Sequence, residues 1–336
     1  MIAQRAAAVQ TAPWKIELRR AVTGVAELLR LLDLDPAELD PPPREDPRFP
    51  LRVPLSYVRR MRRGDPRDPL LLQVLPTAAE QAEMAGFVPD PLAERSHNPR
   101  PGVIHKYRAR VLLLVTGACA VHCRYCFRRH FPYGDNALAG PALEAALAYL
   151  AEDSSIREVI LSGGDPLAAA DGHLARLLEA LEAIPHLVRL RVHTRLPVVL
   201  PARLDESLAA LLGNTRFATT VVLHANHPNE VDDELARGVR LLRETGIHVL
   251  NQSVLLARVN DDAAILAELS ERLFAAGVLP YYLHLLDPVA GAHHFAVAEG
   301  RARALYRELQ AALPGYLVPR LVRELPGRPA KTLIAP

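Results

Sequence analysis

From Val111 to Leu285 the chain alternates short apolar runs with longer amphipathic stretches, and this alternation limits its possible folds more than any other feature. Short apolar runs bounded by turn residues fit strands covered on both faces, and the longer stretches carry the spacing of helices. Six runs qualify: Val111 to Val115, Glu158 to Leu161, Leu190 to His193, Ala218 to Leu223, His248 to Gln252 and Tyr281 to Leu285. Helical stretches follow most of them, which is the pattern of repeated beta-alpha units around a parallel sheet. A polar cluster sits at or just past the end of each run, from the cysteines near 119 to Asp287. Parallel barrels collect their active residues at the carboxyl ends of strands, so the sequence predicts a partial (β/α)6 TIM-like barrel. An open doubly wound sheet would line the same clusters along one edge and is the alternative.

Half of the 336 residues are hydrophobic, enough for a large core. Residues 1–100 read as an N-terminal helical arm with Pro-rich linkers, its clearest helix running from Ile16 to Leu32. Residues 101–314 read as the barrel and 315–336 as a C-terminal segment. No apolar run approaches the roughly 18 residues that span a bilayer, and the N-terminus lacks a secretory pattern, so a cytoplasmic, reducing location is expected. A formal net charge of +2 with scattered basic residues gives no reason to expect nucleic acid. Of forty basic residues only Lys15, Lys106 and Lys331 are lysine, which leaves three candidates for any chemistry that needs an amine.

All three cysteines, Cys119, Cys123 and Cys126, fall in one CxxxCxxC run. Three clustered thiols suit a four-iron four-sulfur cluster whose fourth iron stays open to a small molecule. The alternatives are a structural Cys3His zinc site completed by His122 or His130, and buried apolar filler. Ser162-Gly163-Gly164-Asp165-Pro166 closes the second run; two residues without a Cβ allow close backbone approach and make it a candidate ligand cradle. Arg128, two residues past the last cysteine, is a candidate carboxylate clamp, with Arg129 expected to be solvated. The basic run His105 to Arg110 reads as a surface face or a phosphate site. Asp287 and Glu324 lie near apolar runs, where carboxylates want cationic partners.

Taken together, HKYRAR at 105–110, CAVHCRYCFRRHF at 119–131, SGGDPL, HTRLPVVLPARL, HANHPNE, NQSVLLARVND, YYLHLLDPVAGAHHF and the terminal Lys331-Thr332 resemble the radical S-adenosylmethionine enzymes. Within that superfamily they are similar to the lysine 2,3-aminomutase family, from about residue 50 onward. The resemblance implies a [4Fe-4S] cluster on Cys119, Cys123 and Cys126, with S-adenosylmethionine held by Gly163, Gly164, Asp165, His224 and Gln252. It implies pyridoxal 5'-phosphate on Lys331 as an aldimine, its phosphate near Lys106, Tyr107 and Arg110. Substrate lysine would pair its carboxylate with Arg128 and its distal ammonium with Asp287 and Glu324.

The activity so implied is conversion of L-alpha-lysine to beta-lysine through a 5'-deoxyadenosyl radical, with an external electron donor. CRYCFRRHFPY and PYYLH are closest to the branch whose product goes to beta-lysylation of elongation factor P through a separate lysine ligase. Free lysine 2,3-aminomutation for catabolism is the second reading, and a non-catalytic zinc-stabilised module the third. Lys106 stands where arginine is usual, Glu324 where aspartate is usual, and Leu333 where proline would follow Lys-Thr. The first hundred residues could cover the barrel mouth or bind a second copy of the chain as a homo-oligomer.

Overall fold

A computed structural model describes residues 12–335. Nine strands form one sheet in chain order. They are β1 (Val103–Tyr107), β2 (Arg110–Thr116), β3 (Glu158–Gly163), β4 (Arg189–Thr194), β5 (Ala218–Leu223), β6 (His248–Leu255), β7 (Leu279–Leu285), β8 (Arg320–Arg323) and β9 (Thr332–Leu333). Neighbours from β2 to β8 are all parallel, while β1 and β9 run antiparallel at the two edges. Since every strand lies beside its predecessor, the order never reverses. A doubly wound sheet needs such a reversal, so that alternative is set aside in favour of the partial-barrel winding.

The six strands expected from the sequence are β2 to β7, each followed by a helix before the next strand. Three of the connecting helices open on an aspartate that accepts from the first turn: Asp205 from Leu208 N, Asp232 from Leu235 N and Asp262 from Ala264 N. The sequence reading omitted β8, a seventh parallel strand of only four residues with arginine at both ends. It also drew no strand at β1, whose second half it read only as part of the basic run His105 to Arg110.

Alternation within the strands explains how one sheet serves both a core and a cavity. Leu190 and Val192 of β4 belong to the main apolar cluster, whereas Arg191 and His193 between and beyond them line an interior cavity. The same division separates Val249 from Gln252 along β6, and Leu283 from Tyr282 and His284 on β7.

The expected helix from Ile16 to Leu32 is two helices, Pro13–Arg19 and Val25–Leu31. Between them Val22 forms an antiparallel bridge with Val53, and the β-branched pair Val22-Thr23 followed by Gly24 disfavours helix there. Residues 33–100 hold only short helical turns. Their side chains Leu51, Val53, Tyr57 and Leu70 share one continuous cluster with Val111, Leu113 and Val159 of the barrel, so this segment is packed against the sheet. No helix among the described residues is long and apolar enough to cross a membrane.

Candidate active site

A cavity of about 700 Å³ lies inside the sheet, and every residue to which the resemblance gives a role lines it. The cysteines, the Gly163-Gly164 turn, Asp165, His224 and Gln252 line it together with Lys106, Tyr107, Arg110, Arg128, Asp287, Glu324 and Lys331. The sequence reading expected a mouth at the carboxyl ends alone. Arg191, Tyr281 and Arg320, each near the start of its strand, extend the cavity along the strands, and composition gave no signal for them.

The cysteine loop is laced to the N-terminal segment. His122 N donates to Arg52 O at 3.0 Å and Arg124 N to Gln73 O at 2.9 Å. Arg124, fully buried, donates through Nε to Glu80 Oε1 at 2.7 Å and also through Nη2 to the other carboxylate oxygen. Arg129 was expected to be solvated; instead its side chain is 3 % exposed and pairs with the same Glu80 at 2.6 Å. The correction has a plain cause, since Glu80 is 49 positions away and nothing local reveals it. All three cysteines are free and half-buried in the cavity wall. Burial pushes their thiols up, Cys126 to about 11, partly opposed by the guanidiniums of Arg128 and Arg129.

The Gly-Gly turn explains itself by approach to this loop. Gly163 has φ +128°, and a Cβ on it would meet Thr116 O at 2.4 Å; one on Gly164 would meet Ala118 O at 2.5 Å. Gly164 N and Asp165 N donate to Thr116 O and Ala118 O at 2.7 and 2.8 Å. The glycines therefore let backbone meet backbone, a closer reason for them than approach to a ligand. Asp165 is saturated: its carboxylate accepts from Leu167 N, Thr194 Oγ1, Arg195 N and Leu196 N at 2.7 to 3.0 Å. It ties β3 to β4, so its contribution to the cradle is positional.

A buried polar network missed by the sequence reading lies behind the cysteines. Arg195 donates to Gln73 Oε1 at 2.9 Å, Glu230 Oε1 at 2.7 Å and Tyr57 Oη at 3.2 Å, and also contacts Tyr125 Oη. Asn226 donates to Tyr125 Oη and Gln73 Oε1 at 2.7 and 2.9 Å. The motifs HTR and HAN contain these residues, but only the fold shows that they meet.

Arg128 reaches Glu94 in a bidentate pair, Nε to Oε2 at 2.7 Å and Nη2 to Oε1 at 2.8 Å, and Nη1 donates to Ser162 Oγ at 3.0 Å. Further along the wall Glu324 bridges two cations. Lys331 Nζ donates to its Oε2 at 2.6 Å, and Lys106 pairs with its Oε1. Burial works against ionisation of Glu324, but the Lys331 and Lys106 cations hold its carboxyl well below the usual range. Asp287 behaves oppositely: burial and then the nearby Glu324 charge push it up to about 7. Arg110 lies over the Tyr107 ring at 4.4 Å from its centroid. The β8–β9 hairpin, with Val322 opposite Leu333, returns Lys331 to Glu324. His105 turns away to Tyr149 Oη at 2.7 Å.

Three cavity imidazoles, His193, His224 and His284, each bury an Nε2 without a partner. Burial holds all three below the ordinary histidine range, His224 at about 3, so the rings are neutral and able to pair with a bound ligand.

Each histidine of the zinc alternative commits one ring nitrogen to a backbone carbonyl, His122 Nδ1 to Pro50 O at 2.8 Å and His130 Nε2 to Ala290 O at 3.1 Å. Among the described residues no three His, Cys, Asp or Glu side chains gather at the spacing of a single metal ion.

Residues 113–269 match the model of the Radical SAM superfamily. Over 322 residues the chain is 48% identical to "L-lysine 2,3-aminomutase" of Haemophilus influenzae, covering 96% of this chain and 95% of that one. The protein of the same name from Escherichia coli is 50% identical over 95% of this chain and 93% of its own length. The Clostridium subterminale protein is 34% identical, with 96% of this chain covering 78% of it. The chain belongs to the radical SAM lysine 2,3-aminomutase family. Membership brings a [4Fe-4S] cluster and S-adenosylmethionine, and the residues fit: three free thiols face one cavity beside a glycine turn, with no fourth protein ligand among them.

Proposed function

We propose that the protein is a lysine 2,3-aminomutase, an isomerase that converts L-alpha-lysine to beta-lysine. The observation that carries this reading is near full-length identity of 48 and 50% to proteins of that name, joined to a cavity holding both the cysteines and the Lys331-Glu324-Asp287 group. Lys331 is the residue for pyridoxal phosphate; its amine faces the cavity, and cationic Lys106 and Arg110 with Tyr107 offer a phosphate site nearby. The partnerless imidazoles His193 and His284 in the same wall agree with a polar occupant there. When bound, the cluster and S-adenosylmethionine supply a hydrogen-abstracting radical, and the pyridoxal group carries the migrating nitrogen.

The chain's own residues orient the substrate. Arg128 receives the carboxylate, and Asp287 and Glu324 receive the distal ammonium, fixing the carbon skeleton between two charged ends. Two carboxylates at the far end disfavour an acidic side chain such as glutamate. Glu324 holds Lys331 until the substrate ammonium offers it another cation. The enclosing wall excludes water from the reacting carbons.

The product is proposed to serve beta-lysylation of elongation factor P through a separate ligase. Support is the likeness of the CRYCFRRHFPY and PYYLH segments to that branch. The test is anaerobic reconstitution with iron, sulfide and pyridoxal phosphate, then reduction with S-adenosylmethionine and L-lysine. Formation of 5'-deoxyadenosine with beta-lysine is expected; cleavage without beta-lysine would remove lysine as the substrate, and a colourless zinc protein would overturn the reading.

A further inference from the structure

Glu94 is built to reach one target. Asp90 Oδ1 accepts from Glu94 N at 2.9 Å and its Oδ2 from Arg95 N at 3.2 Å, while Ala93 adopts φ +51°, ψ +39°, a left-handed conformation a residue with a Cβ rarely takes. Ala93 O is bonded in turn by His97 Nδ1 and Ser96 Oγ, both at 2.8 Å. This turn carries Glu94, 4 % exposed, to Arg128, 7 % exposed. A second cation, Lys106 Nζ, lies 4.0 Å from Glu94 Oε1.

A guanidinium has five N–H donors and two edges on which a carboxylate can dock in a fork. Glu94 closes the side edge by taking Nε and Nη2. At the end edge Nη1 donates to Ser162 Oγ at 3.0 Å and to Gly163 O at 3.4 Å, so the donors left there for an incoming carboxylate are the second Nη2 hydrogen and the Ser162 hydroxyl. We infer that Glu94 is a positioning residue: it locks Arg128 so that the substrate carboxylate is received at this end edge, next to the Ser162 hydroxyl. The inference rests on the lysine reading and adds to it a residue from outside every barrel strand.

A rival role follows from the same pair. Glu94 could compete with the substrate for Arg128, in which case removing its charge would tighten lysine binding. The geometry favours positioning, because the two carboxylates would use different edges of the guanidinium, and because an unanchored Arg128 can swing from Ser162.

The test compares wild type with Glu94→Gln, reconstituted alike and checked for equal iron and pyridoxal content. Two quantities are read: KM for L-lysine, and Ki for 1,5-diaminopentane, which has both amines but no carboxylate. Positioning predicts a lysine KM raised about tenfold or more with the diamine Ki within about twofold of wild type, since misplacement of a docking group acts only on the group it docks. Glu94→Asp, which keeps the charge, should recover part of the loss. A lower lysine KM would establish competition and overturn the proposal, as would equal KM values or parallel loss of both constants. If Glu94→Gln takes up less iron, Ser162→Ala carries the test: lysine KM should rise about threefold and the diamine Ki should hold; no change in KM overturns the end-edge assignment. Wild type that binds the diamine but makes no beta-lysine from lysine would instead sink the reaction assigned above.

Discussion

Asp287 makes lysine binding depend on pH, with a slope that can be worked out in advance. Its carboxyl is pushed from 3.8 up to about 7 by burial and by Glu324, against the pull of Lys331 and Lys106. In the free site below that pH it is neutral and offers an ammonium no charge. The substrate's distal amine, with an ordinary value near 10.4, stays cationic throughout. Only the ionised fraction of sites is competent, so apparent affinity scales with that fraction: about one site in eleven at pH 6 and about ten in eleven at pH 8. The dissociation constant should therefore fall about tenfold between pH 6 and pH 8, and binding at pH 6 should release nearly one proton. Stability runs the other way. The fold retains a proton that the unfolded chain loses from pH 3.8 upward, so this group's contribution declines up to about pH 7 and is level beyond. The assay is equilibrium binding of L-lysine to unreduced enzyme in buffers of differing ionisation enthalpy, with Asp287→Asn as the flat reference. A wild-type profile equally flat, or a slope that survives in Asp287→Asn, refutes the reasoning.

Other consequences are equally direct. Lys331→Ala should lose the visible absorbance of the lysine-bound pyridoxal group and keep the iron-sulfur absorbance; a persisting pyridoxal band would move the assignment to Lys106. Gly164→Ala forces a Cβ to within 2.5 Å of Ala118 O, so the variant should take up much less iron than wild type, measured as iron per chain after reconstitution. Glu80→Gln strips the shared partner from Arg124 and Arg129, and breaking a buried pair of this kind costs about 3–5 kcal/mol, which should appear in the anaerobic denaturation midpoint. The raised thiols predict that cluster assembly keeps improving with pH past the ordinary thiol value of 9.0, because each cysteine must lose a proton to bind iron.

The barrel was legible because its signal is periodic and local. Ala218–Leu223 was read without error, since its apolar run ends where the backbone leaves the sheet; β6 continued three residues past Gln252, where polar Ser253 interrupts the apolar pattern but still pairs with Leu283. The strands that escaped had reasons to. β8 is four residues with arginines at its ends, and β1 reads Val-Ile-His-Lys-Tyr because its outer half serves the cavity and not the core. Alternation, which marks a half-buried strand, here marks a wall with apolar helices on one side and charged ligand sites on the other. The Ile16 to Leu32 run failed for the opposite reason: a helical spacing persisted through Val22-Thr23-Gly24, and a tertiary bridge to Val53 outweighed it.

The site divides along the same line between local and distant. Motif residues such as the cysteines, the Gly-Gly turn and Lys331 carry their chemistry in their identity and spacing, so the sequence brings them forward unaided. Glu80 and Glu94 do not, for each is one acidic residue among many in a Pro-rich segment with no periodicity. Yet they decide the environment of the cysteine loop: Arg124, Arg128 and Arg129 are three cations within six positions, and each is paired only by a carboxylate at least 34 residues away. Burying three such charges unpaired would cost more than the loop's few backbone bonds return. The segment from Phe49 to Glu94 is thus a requirement of the CRYCFRR sequence itself, and a barrel deprived of it should fail at the cysteine loop before it fails in its sheet.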